Sequence, residues 1–365
     1  MSRAELDRTI LEWMQEPLWG EDEERFDALA LALFAHQFER CPPYRRFCER
    51  RAATPASVRG WREIPPVPTG AFKELSLRCF PAERSIHTFR TSGTSTATRG
   101  ELHLDTLELY EASLLPSFYR FLLPDLSPER LDATILVLAA SPAEARDSSL
   151  SHMFGVAIRE LGAEGSRFFV AGGGLRAEEL LRALEAAPAE RPLLLCGTAF
   201  SFVHLLDALE QQGARLALPA AARIMETGGF KGRSRTMPRP ALYLALEEQL
   251  GVPLERIVNQ YGMTELGSQF YDTVLREPAA PRRKLGPPWA RVRIVDPETG
   301  EDAPADGAGT IVVYDLANTG SVLAIQTADL GRRVQDGFEV LGREAGAEAR
   351  GCSIAADELL AKAGT

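Results

Sequence analysis

The chain has 365 residues, 45% of them hydrophobic, which is enough to bury a large core divided into two or three subdomains. Its net charge of −10 disfavours nucleic-acid binding, because that function needs a basic surface. No apolar run approaches about 18 residues, so we expect no membrane span. No two of the five cysteines form a CxxC pair, so we expect neither a disulfide framework nor a structural zinc site. The expected protein is therefore a cytoplasmic enzyme.

The first predicted region is helical. Residues 1–63 are predicted to form helices with polar, arginine-rich faces, and residues 1–16 have helical periodicity without a signal-peptide profile. A proline-rich connection at residues 64–68 is too stiff for a helix and is predicted to be extended.

Residues 64–280 are predicted to form α/β subdomains, because short apolar strands alternate with helices. The predicted strands lie near residues 134–138, 167–170, 192–196, 223–226 and 256–258. The predicted helices lie near residues 151–161, 176–187, 199–212 and 239–250. This alternation is typical of parallel sheets whose two faces are covered by helices.

The helical pattern ends at Pro281, and residues 281–342 are predicted to form a small β-rich subdomain. Its strands are expected near residues 291–295, 310–314 and 322–325, with turns between them. Residues 343–365 are expected to form a short hinge and a C-terminal tail. The predicted fold class is therefore α/β, with parallel sheets flanked by helices and an added β-rich subdomain.

Two polar segments carry the candidate chemistry. The first is rich in hydroxyls and comprises Thr91, Ser92, Gly93, Thr94, Ser95 and Thr96, with Arg99 as the nearest cation. Such a loop can wrap phosphates with backbone N–H and side-chain O–H donors. The second follows an apolar strand and comprises Gln260, Tyr261, Gly262, Met263, Thr264 and Glu265. Its threonine can bind a phosphate and its glutamate can bind Mg²⁺.

Lysine is rare in this chain, supplying only four of the 41 basic residues. Two of the four, Lys73 and Lys231, lie in similar contexts, because each directly follows a glycine- and phenylalanine-containing segment. A compact ammonium group is not interchangeable with a planar guanidinium, so both lysines are candidates for a catalytic charge. For each lysine the sequence leaves an alternative open, namely that its context arises by chance and has no catalytic meaning.

In chain order, these segments resemble the motifs of the adenylate-forming enzymes, which activate carboxylic acids with ATP. Residues 91–96 resemble the phosphate-binding loop of that superfamily, and residues 261–265 resemble its Tyr-Gly-x-Thr-Glu motif. Residues 226–229 resemble the glycine-rich turn along the adenine, which implies nucleotide contacts from Thr227, Gly228 and Gly229.

Two further segments extend the resemblance towards the C-terminus. Residues 327–330 resemble the segment whose aspartate, here Asp329, holds the ribose hydroxyls. An ionised carboxylate suits that role, because it can accept a hydrogen bond from each of two vicinal hydroxyls. Arg343, which follows a glycine, resembles the hinge residue before the mobile C-terminal domain of these enzymes.

Within the superfamily, the chain resembles the acyl-protein synthetases of bacterial luminescence systems, the LuxE type. The likeness rests on residues 68–73, on the tail around Cys352, and on a chain that ends soon after the hinge. It implies an adenylate-forming core at residues 1–342 in which the C-terminal lid domain and its lysine are missing. It also implies that Cys352 carries the acyl group to a reductase or carrier protein, and that Lys73 or Lys231 supplies the missing charge.

Two alternatives remain open. An acid–CoA ligase of the phenylacetate–CoA ligase type shares the Tyr-Gly-x-Thr-Glu motif but has a full lid domain. A non-catalytic adenylate-binding subunit is disfavoured by the intact Thr264, Glu265 and Asp329. The expected substrate is a carboxylic acid, most simply a fatty acid. Because its carboxylate must attack a polyanion, ATP, the enzyme needs cations, N–H donors and Mg²⁺ around the phosphates.

Overall fold

The computed structural model describes residues 1–17, 19–91, 98–127, 133–228 and 237–343. Its α-helices are α1 (Arg3–Met14), α2 (Glu23–Arg40), α3 (Pro42–Glu49), α4 (Ala71–Glu74), α5 (Glu108–Leu122), α6 (Ser149–Leu161), α7 (Ala177–Glu185), α8 (Ala199–Gln212) and α9 (Arg239–Leu250). Its strands are β1 (Val67–Pro68), β2 (His87–Arg90), β3 (Glu101–Leu104), β4 (Thr134–Ala140), β5 (Arg167–Ala171), β6 (Gly174–Leu175), β7 (Leu193–Thr198), β8 (Arg223–Thr227), β9 (Ile257–Tyr261), β10 (Phe270–Asp272), β11 (Lys284–Leu285), β12 (Ala290–Val295), β13 (Ala308–Asp315), β14 (Ala324–Val334) and β15 (Gly337–Arg343). Within these ranges no helix is long and apolar enough to cross a membrane.

The chain forms two compact units that alternate along the sequence. The first unit contains Met1–Pro116, Met263–Gln269 and the described residues from Leu285 onward. The second unit contains Ser117–Gly262 and Phe270–Lys284. The subdomain boundaries expected from the sequence, after residues 63, 280 and 342, stay a prediction.

The second unit is built on a parallel sheet. Strands β4, β5, β7, β8 and β9 pair in parallel, while β6 and β10 add antiparallel ends beside β5 and β9. Most residues of these parallel strands are buried, as expected for strands covered on both faces. Apolar side chains of β4, β7 and β8 form one core with those of α7, α8 and α9. The predicted α/β class, with a parallel sheet flanked by helices, is confirmed.

The first unit combines the N-terminal helices with antiparallel strands. Each of α1, α2 and α3 buries one apolar face, as their sequence periodicity predicts. Strands β12, β13, β14 and β15 form an antiparallel sheet, and β1 pairs in parallel with β14. A separate hairpin joins β2 to β3. The strand expected at residues 322–325 is longer than predicted and is shifted, because β14 runs from Ala324 to Val334.

Candidate active site

The carboxyl ends of β7, β8 and β9 bring several predicted nucleotide-binding residues together in the second unit. Thr227 pairs with Thr198 on one side and with Gln260 on the other. The Thr227 hydroxyl donates to the backbone oxygen of Gln260 at 3.2 Å and also contacts its side-chain oxygen. Ligands of parallel α/β sheets bind beyond this edge, so Thr227 and Gln260 stay candidates for nucleotide contacts.

Gly228 follows Thr227 in a conformation that favours glycine. Its φ is +80°, a left-handed value that strains residues with a side chain. A Cβ atom placed on Gly228 would meet no atom of the described residues within 4 Å. Among those residues, the turn therefore has both the conformation and the clearance that a close backbone approach to a ligand requires.

A buried polar cluster lies behind these strand ends, and sequence reasoning missed it. Its centre is Asn259, which precedes Gln260 and is 3% exposed. The Asn259 amide nitrogen donates to the carboxyl Oε2 of Glu226 at 2.7 Å, and the Tyr243 hydroxyl donates to the same oxygen at 3.0 Å. The cluster thus links β8, β9 and α9 through side chains.

A second buried carboxyl, Asp272, holds β9 from its other side. It accepts from the Asn259 backbone N–H at 3.1 Å, from Lys284 Nζ at 2.8 Å and from Arg282 at 2.7 Å. Burial alone would raise the pKa of the Asp272 carboxyl, but the Lys284 and Arg282 charges outweigh it and hold that pKa below its usual value. Lys284, one of the four lysines, therefore has a structural partner inside the second unit.

In the first unit, Thr264 lies beside the base of the predicted phosphate loop. Its hydroxyl is 3.5 Å from the backbone oxygen of Arg90, the last residue of β2. Thr91 and Gly100 close the loop base through two hydrogen bonds of 2.9 Å. Arg99 donates to the backbone oxygens of Thr91 at 2.6 Å and Arg90 at 3.2 Å. The structure thus brings Thr91, Arg99 and Thr264 together, and it gives Arg99 a role in closing the loop.

The neighbouring Glu265 is only 6% exposed, and its segment is anchored by the first unit. The Glu265 backbone oxygen accepts from the Asn318 side chain at 2.8 Å. Three residues further on, both the backbone N–H and the hydroxyl of Ser268 donate to the carboxyl of Asp315, at 2.8 and 2.7 Å. Burial raises the pKa of the Asp315 carboxyl. These contacts fix the backbone on which Thr264 and Glu265 stand.

Lys73 lies in α4 and is exposed, whereas Phe72 beside it is buried. The segment is tied to β14, since β1 pairs with it and the Thr69 N–H donates to Gln326 at 3.0 Å. Phe72 also lies against Gly100, where an added Cβ would be 3.4 Å from the Phe72 Cβ atom. Lys73 is therefore carried by an element that contacts the base of the phosphate loop.

Asp329 and Arg343, the predicted ribose and hinge residues, are partners across β14 and β15. Arg343 Nε lies 3.4 Å from an Asp329 oxygen, with the arginine side chain 66% exposed and the aspartate side chain 15% exposed. The structure brings these two residues together as an ion pair near the surface of the first unit.

Some of the remaining predicted residues lie within the described ranges and others lie outside them. Tyr261 and Gly262 end the second unit's part of the motif, and Met263 begins the first unit's part. The following predicted residues lie outside the described ranges: Ser92, Gly93, Thr94, Ser95, Thr96, Gly229, Lys231 and Cys352.

A family model described as acyl-protein synthetase, LuxE, matches residues 1–361. The chain belongs to this family. An acyl-protein synthetase of the LuxE family is an AMP-forming ligase, which binds ATP, forms an acyl-adenylate and transfers the acyl group. No curated protein matches the sequence.

Solved structures agree with the acyl-protein synthetase assignment at the level of the fold. The open conformation of 2-hydroxyisobutyryl-CoA ligase in complex with 2-HIB-AMP and CoA matches with a TM-score of 0.61 and 16% identity, covering 87% of this chain and 74% of that chain. The same ligase in the postadenylation state in complex with R3-HIB-AMP gives a TM-score of 0.62 and 15% identity, covering 87% and 67%. These likenesses show that the chain has the fold of adenylate-forming ligases.

Proposed function

We propose that this acyl-protein synthetase activates a fatty acid with ATP and Mg²⁺ and then transfers the acyl group to a protein thiol in the cytoplasm. The family assignment supports the two half-reactions. The observation that carries the assignment of residues is the contact of Thr264 with Arg90 at the base of the hydroxyl-rich loop. Two segments separated by about 170 residues in sequence therefore lie side by side, as a common phosphate site requires.

In the first half-reaction, a carboxylate oxygen of the acid attacks the α-phosphorus of ATP. A new P–O bond joins the carboxylate oxygen to the α-phosphorus. The bond from the α-phosphorus to the oxygen that bridges to the β-phosphate breaks, and pyrophosphate leaves. The attack brings an anion to a polyanion, so N–H, O–H and cationic groups must face the phosphates. The loop of residues 91–96, Thr264 and Lys73 or Lys231 would supply them. Thr227, Gly228, Gly229, residues 260–263, Asp329 and Arg343 would hold the nucleoside.

Glu265 is the residue that fits Mg²⁺. Within the described ranges no cluster of three or more acidic, histidine or cysteine side chains could hold a metal ion alone. Mg²⁺ is usually bound through one or two carboxylates together with substrate phosphates, and a single carboxylate at residue 265 matches that arrangement. When bound there, the ion would neutralise charge on the pyrophosphate leaving group.

In the second half-reaction, a thiolate attacks the acyl carbonyl of the adenylate, the C–O bond to the phosphate breaks, and AMP leaves. Cys352 is the proposed acceptor within this chain, and a reductase or carrier protein would receive the acyl group from it. The four cysteines within the described residues, Cys41, Cys48, Cys79 and Cys196, are all buried. Burial raises the pKa of the Cys48 thiol to about 12, which disfavours its thiolate.

A second candidate is an acid–CoA ligase. It is favoured by one observation, the fold match to a ligase whose structure contains 2-HIB-AMP and CoA. Both candidates share the first half-reaction and differ in the thiol that attacks the adenylate. An experiment on the acceptor therefore separates them.

The test incubates the protein with ATP, Mg²⁺ and radiolabelled fatty acids of several lengths, with and without CoA. We expect a hydroxylamine-labile label on the protein, because a thioester reacts with hydroxylamine. Cys352→Ser should still form acyl-adenylate but should lose the protein label. Cys48→Ala is the matched control and should keep the label, because its buried thiol is unreactive.

Three other results would each contradict part of the proposal. Acyl-CoA formation without any protein label would make the CoA ligase the leading function. A normal label on Cys352→Ser would move acyl carriage to another residue. A wild-type protein that forms no adenylate with any acid would remove the first half-reaction as well.

A further inference from the structure

Glu226 is a buried carboxyl in an unfavourable position for stability alone. It is 1% exposed in β8, directly before Thr227. Its Oε2 atom accepts from both Tyr243 and Asn259, while its Oε1 atom has no hydrogen-bond partner among the described residues. Burial raises the pKa of the Glu226 carboxyl, and it outweighs the opposite effect of the Arg239 charge. A buried carboxyl with one unused oxygen costs free energy relative to an apolar residue.

The contacts of Glu226 connect three elements of the second unit. Asn259 donates to the Glu226 side chain at 2.7 Å and to its backbone oxygen at 3.2 Å. Tyr243 comes from α9, the first described helix after β8. One carboxyl therefore fixes the end of β8 to the end of β9 and to α9. The next residues on the two strands, Thr227 and Gln260, are themselves cross-strand partners.

We propose that Glu226 is a positioning residue for the nucleotide. It sets the spacing of the turn at Thr227 and Gly228 relative to Gln260 and Tyr261, and it does so through Asn259 and Tyr243 without touching ATP. The inference rests on the proposed function, because it assigns these two strand ends to ATP binding. The inference thereby assigns to the adenylation site one further residue, Glu226, which lies on the helix-covered side of the sheet.

Removing the carboxyl leaves the Asn259 amide and the Tyr243 hydroxyl without their shared acceptor. The two strand ends can then shift, and small displacements at a binding site have large effects on affinity. Glu226→Ala should raise the KM for ATP on the order of 10- to 100-fold, with the KM for the acid unchanged. Glu226→Gln should restore most of the ATP affinity, because its amide oxygen can accept both hydrogen bonds. Tyr243→Phe removes one of the two bonds and should raise the KM for ATP by a smaller factor.

A matched control lies at the other end of the same strand. Arg223 begins β8, is 1% exposed and donates to Asp125 at 3.0 Å. Asp125→Ala removes the carboxylate partner of this buried charge, so it should lower the melting temperature. It should leave the KM for ATP unchanged, because Arg223 lies at the amino end of β8, away from Thr227.

The experiment measures ATP–pyrophosphate exchange, ATP binding by calorimetry and melting temperature for the wild type and the four variants. A raised KM for ATP in Glu226→Ala, rescue in Glu226→Gln and an unchanged KM in Asp125→Ala support the proposal. The same change of the KM for ATP in Glu226→Ala and Asp125→Ala would overturn it. A KM for ATP in Glu226→Gln as high as in Glu226→Ala would also overturn it. If Glu226→Ala does not fold, an unchanged KM for ATP in Tyr243→Phe overturns it. A wild type that neither binds ATP nor catalyses exchange removes the proposed function itself, which is a separate result.

Discussion

Residues 260–265 pass from the second unit to the first after Gly262, and a buried carboxyl anchors the chain on each side. Asp272 anchors β9 in the second unit and is paired with the Lys284 and Arg282 charges. Asp315 anchors the segment of Thr264 and Glu265 in the first unit, where its carboxyl accepts from the neutral donors of Ser268 and Ala317. The same structural task is thus performed by an ion pair in one unit and by neutral hydrogen bonds in the other.

The difference has opposite electrostatic consequences. Cationic partners hold the pKa of the Asp272 carboxyl below its usual value, whereas burial raises the pKa of the Asp315 carboxyl. The anchor of the second unit is therefore strongest when its aspartate is ionised. Protonation of Asp315 in the first unit removes the cost of burying its charge, so its net contribution to stability is largest when it is protonated. Stability measurements can separate the two.

Asp272→Ala is expected to have the largest effect on stability. Lys284, whose side chain is 4% exposed, would lose its carboxylate partner while remaining buried. Breaking a buried ion pair in this way costs about 3–5 kcal/mol, measured as the free energy of unfolding in urea at neutral pH. The deficit should start to shrink as the pH falls below about 4, where the carboxyl of the unfolded chain is protonated, and it should vanish only at a lower pH, where the folded Asp272 also loses its charge. A loss below about 1 kcal/mol at neutral pH would show that Lys284 finds another partner.

Asp315→Asn should cost less, about 1–3 kcal/mol, because one backbone N–H would face the amide nitrogen instead of an oxygen. Since burial raises the pKa of Asp315, its contribution is complete below about pH 4 and declines as the pH rises. The cost of the substitution should therefore be largest in acid, opposite to that of Asp272→Ala. Urea unfolding at several pH values checks this, and the same pH trend in both variants would contradict the comparison.

The contrast between the units extends to their lysines. Lys284 is buried in an ion pair of the second unit, whereas Lys73 is exposed in the first. Lys73→Arg should leave the melting temperature unchanged but slow ATP–pyrophosphate exchange about 10- to 100-fold, or about 1.4–2.7 kcal/mol, if Lys73 supplies a catalytic charge at the phosphates. Lys231→Arg is the parallel variant. Full activity in both variants would mean that the similar contexts of the two lysines are a coincidence.

The smallest effect on stability is expected at Arg343. Its pair with Asp329 is the surface counterpart of the buried Lys284–Asp272 pair, since the arginine side chain is 66% exposed. Arg343→Ala should change the free energy of unfolding by at most about 1 kcal/mol. Asp329→Asn should be equally mild for stability but should raise the KM for ATP, because an amide accepts fewer bonds from a ribose diol. An unchanged KM would remove Asp329 from the nucleotide site.

Periodicity predicted the regular elements of the second unit well. The predicted helices at 199–212 and 239–250 correspond to α8 and α9, and the predicted parallel strands became β4, β5, β7, β8 and β9. These segments are amphipathic or continuously apolar, so burial dictates their structure. The end of β14 was missed because its residues beyond Gln326 are mainly polar or glycine, and pairing with β13 and β15 holds them in the sheet.

The buried polar cluster could be predicted only in part. Glu226 follows the apolar pair Ile224 and Met225, and a carboxyl inside a predicted buried strand indicates that a polar partner lies beside it. Lys284 is one of only four lysines in the chain, but the sequence pattern singles out Lys73 and Lys231 instead. Asp272 gave no signal, because its partners come from two other segments, at Asn259 and at residues 282–284, that only the fold brings together. Motif order, in contrast, predicts that the segments of Thr91 and Thr264 share one site, and Thr264 contacts Arg90 beside Thr91.

The central proposal is that this acyl-protein synthetase adenylates a carboxylic acid with Glu265 bound to Mg²⁺. The direct measurement is ATP–pyrophosphate exchange across a panel of fatty acids, for the wild type and Glu265→Gln. We predict acid-dependent exchange in the wild type and a loss on the order of 10²- to 10³-fold in the variant, while the variant stays folded. Exchange at the wild-type rate in Glu265→Gln, or no acid-dependent exchange in the wild type, would contradict the account.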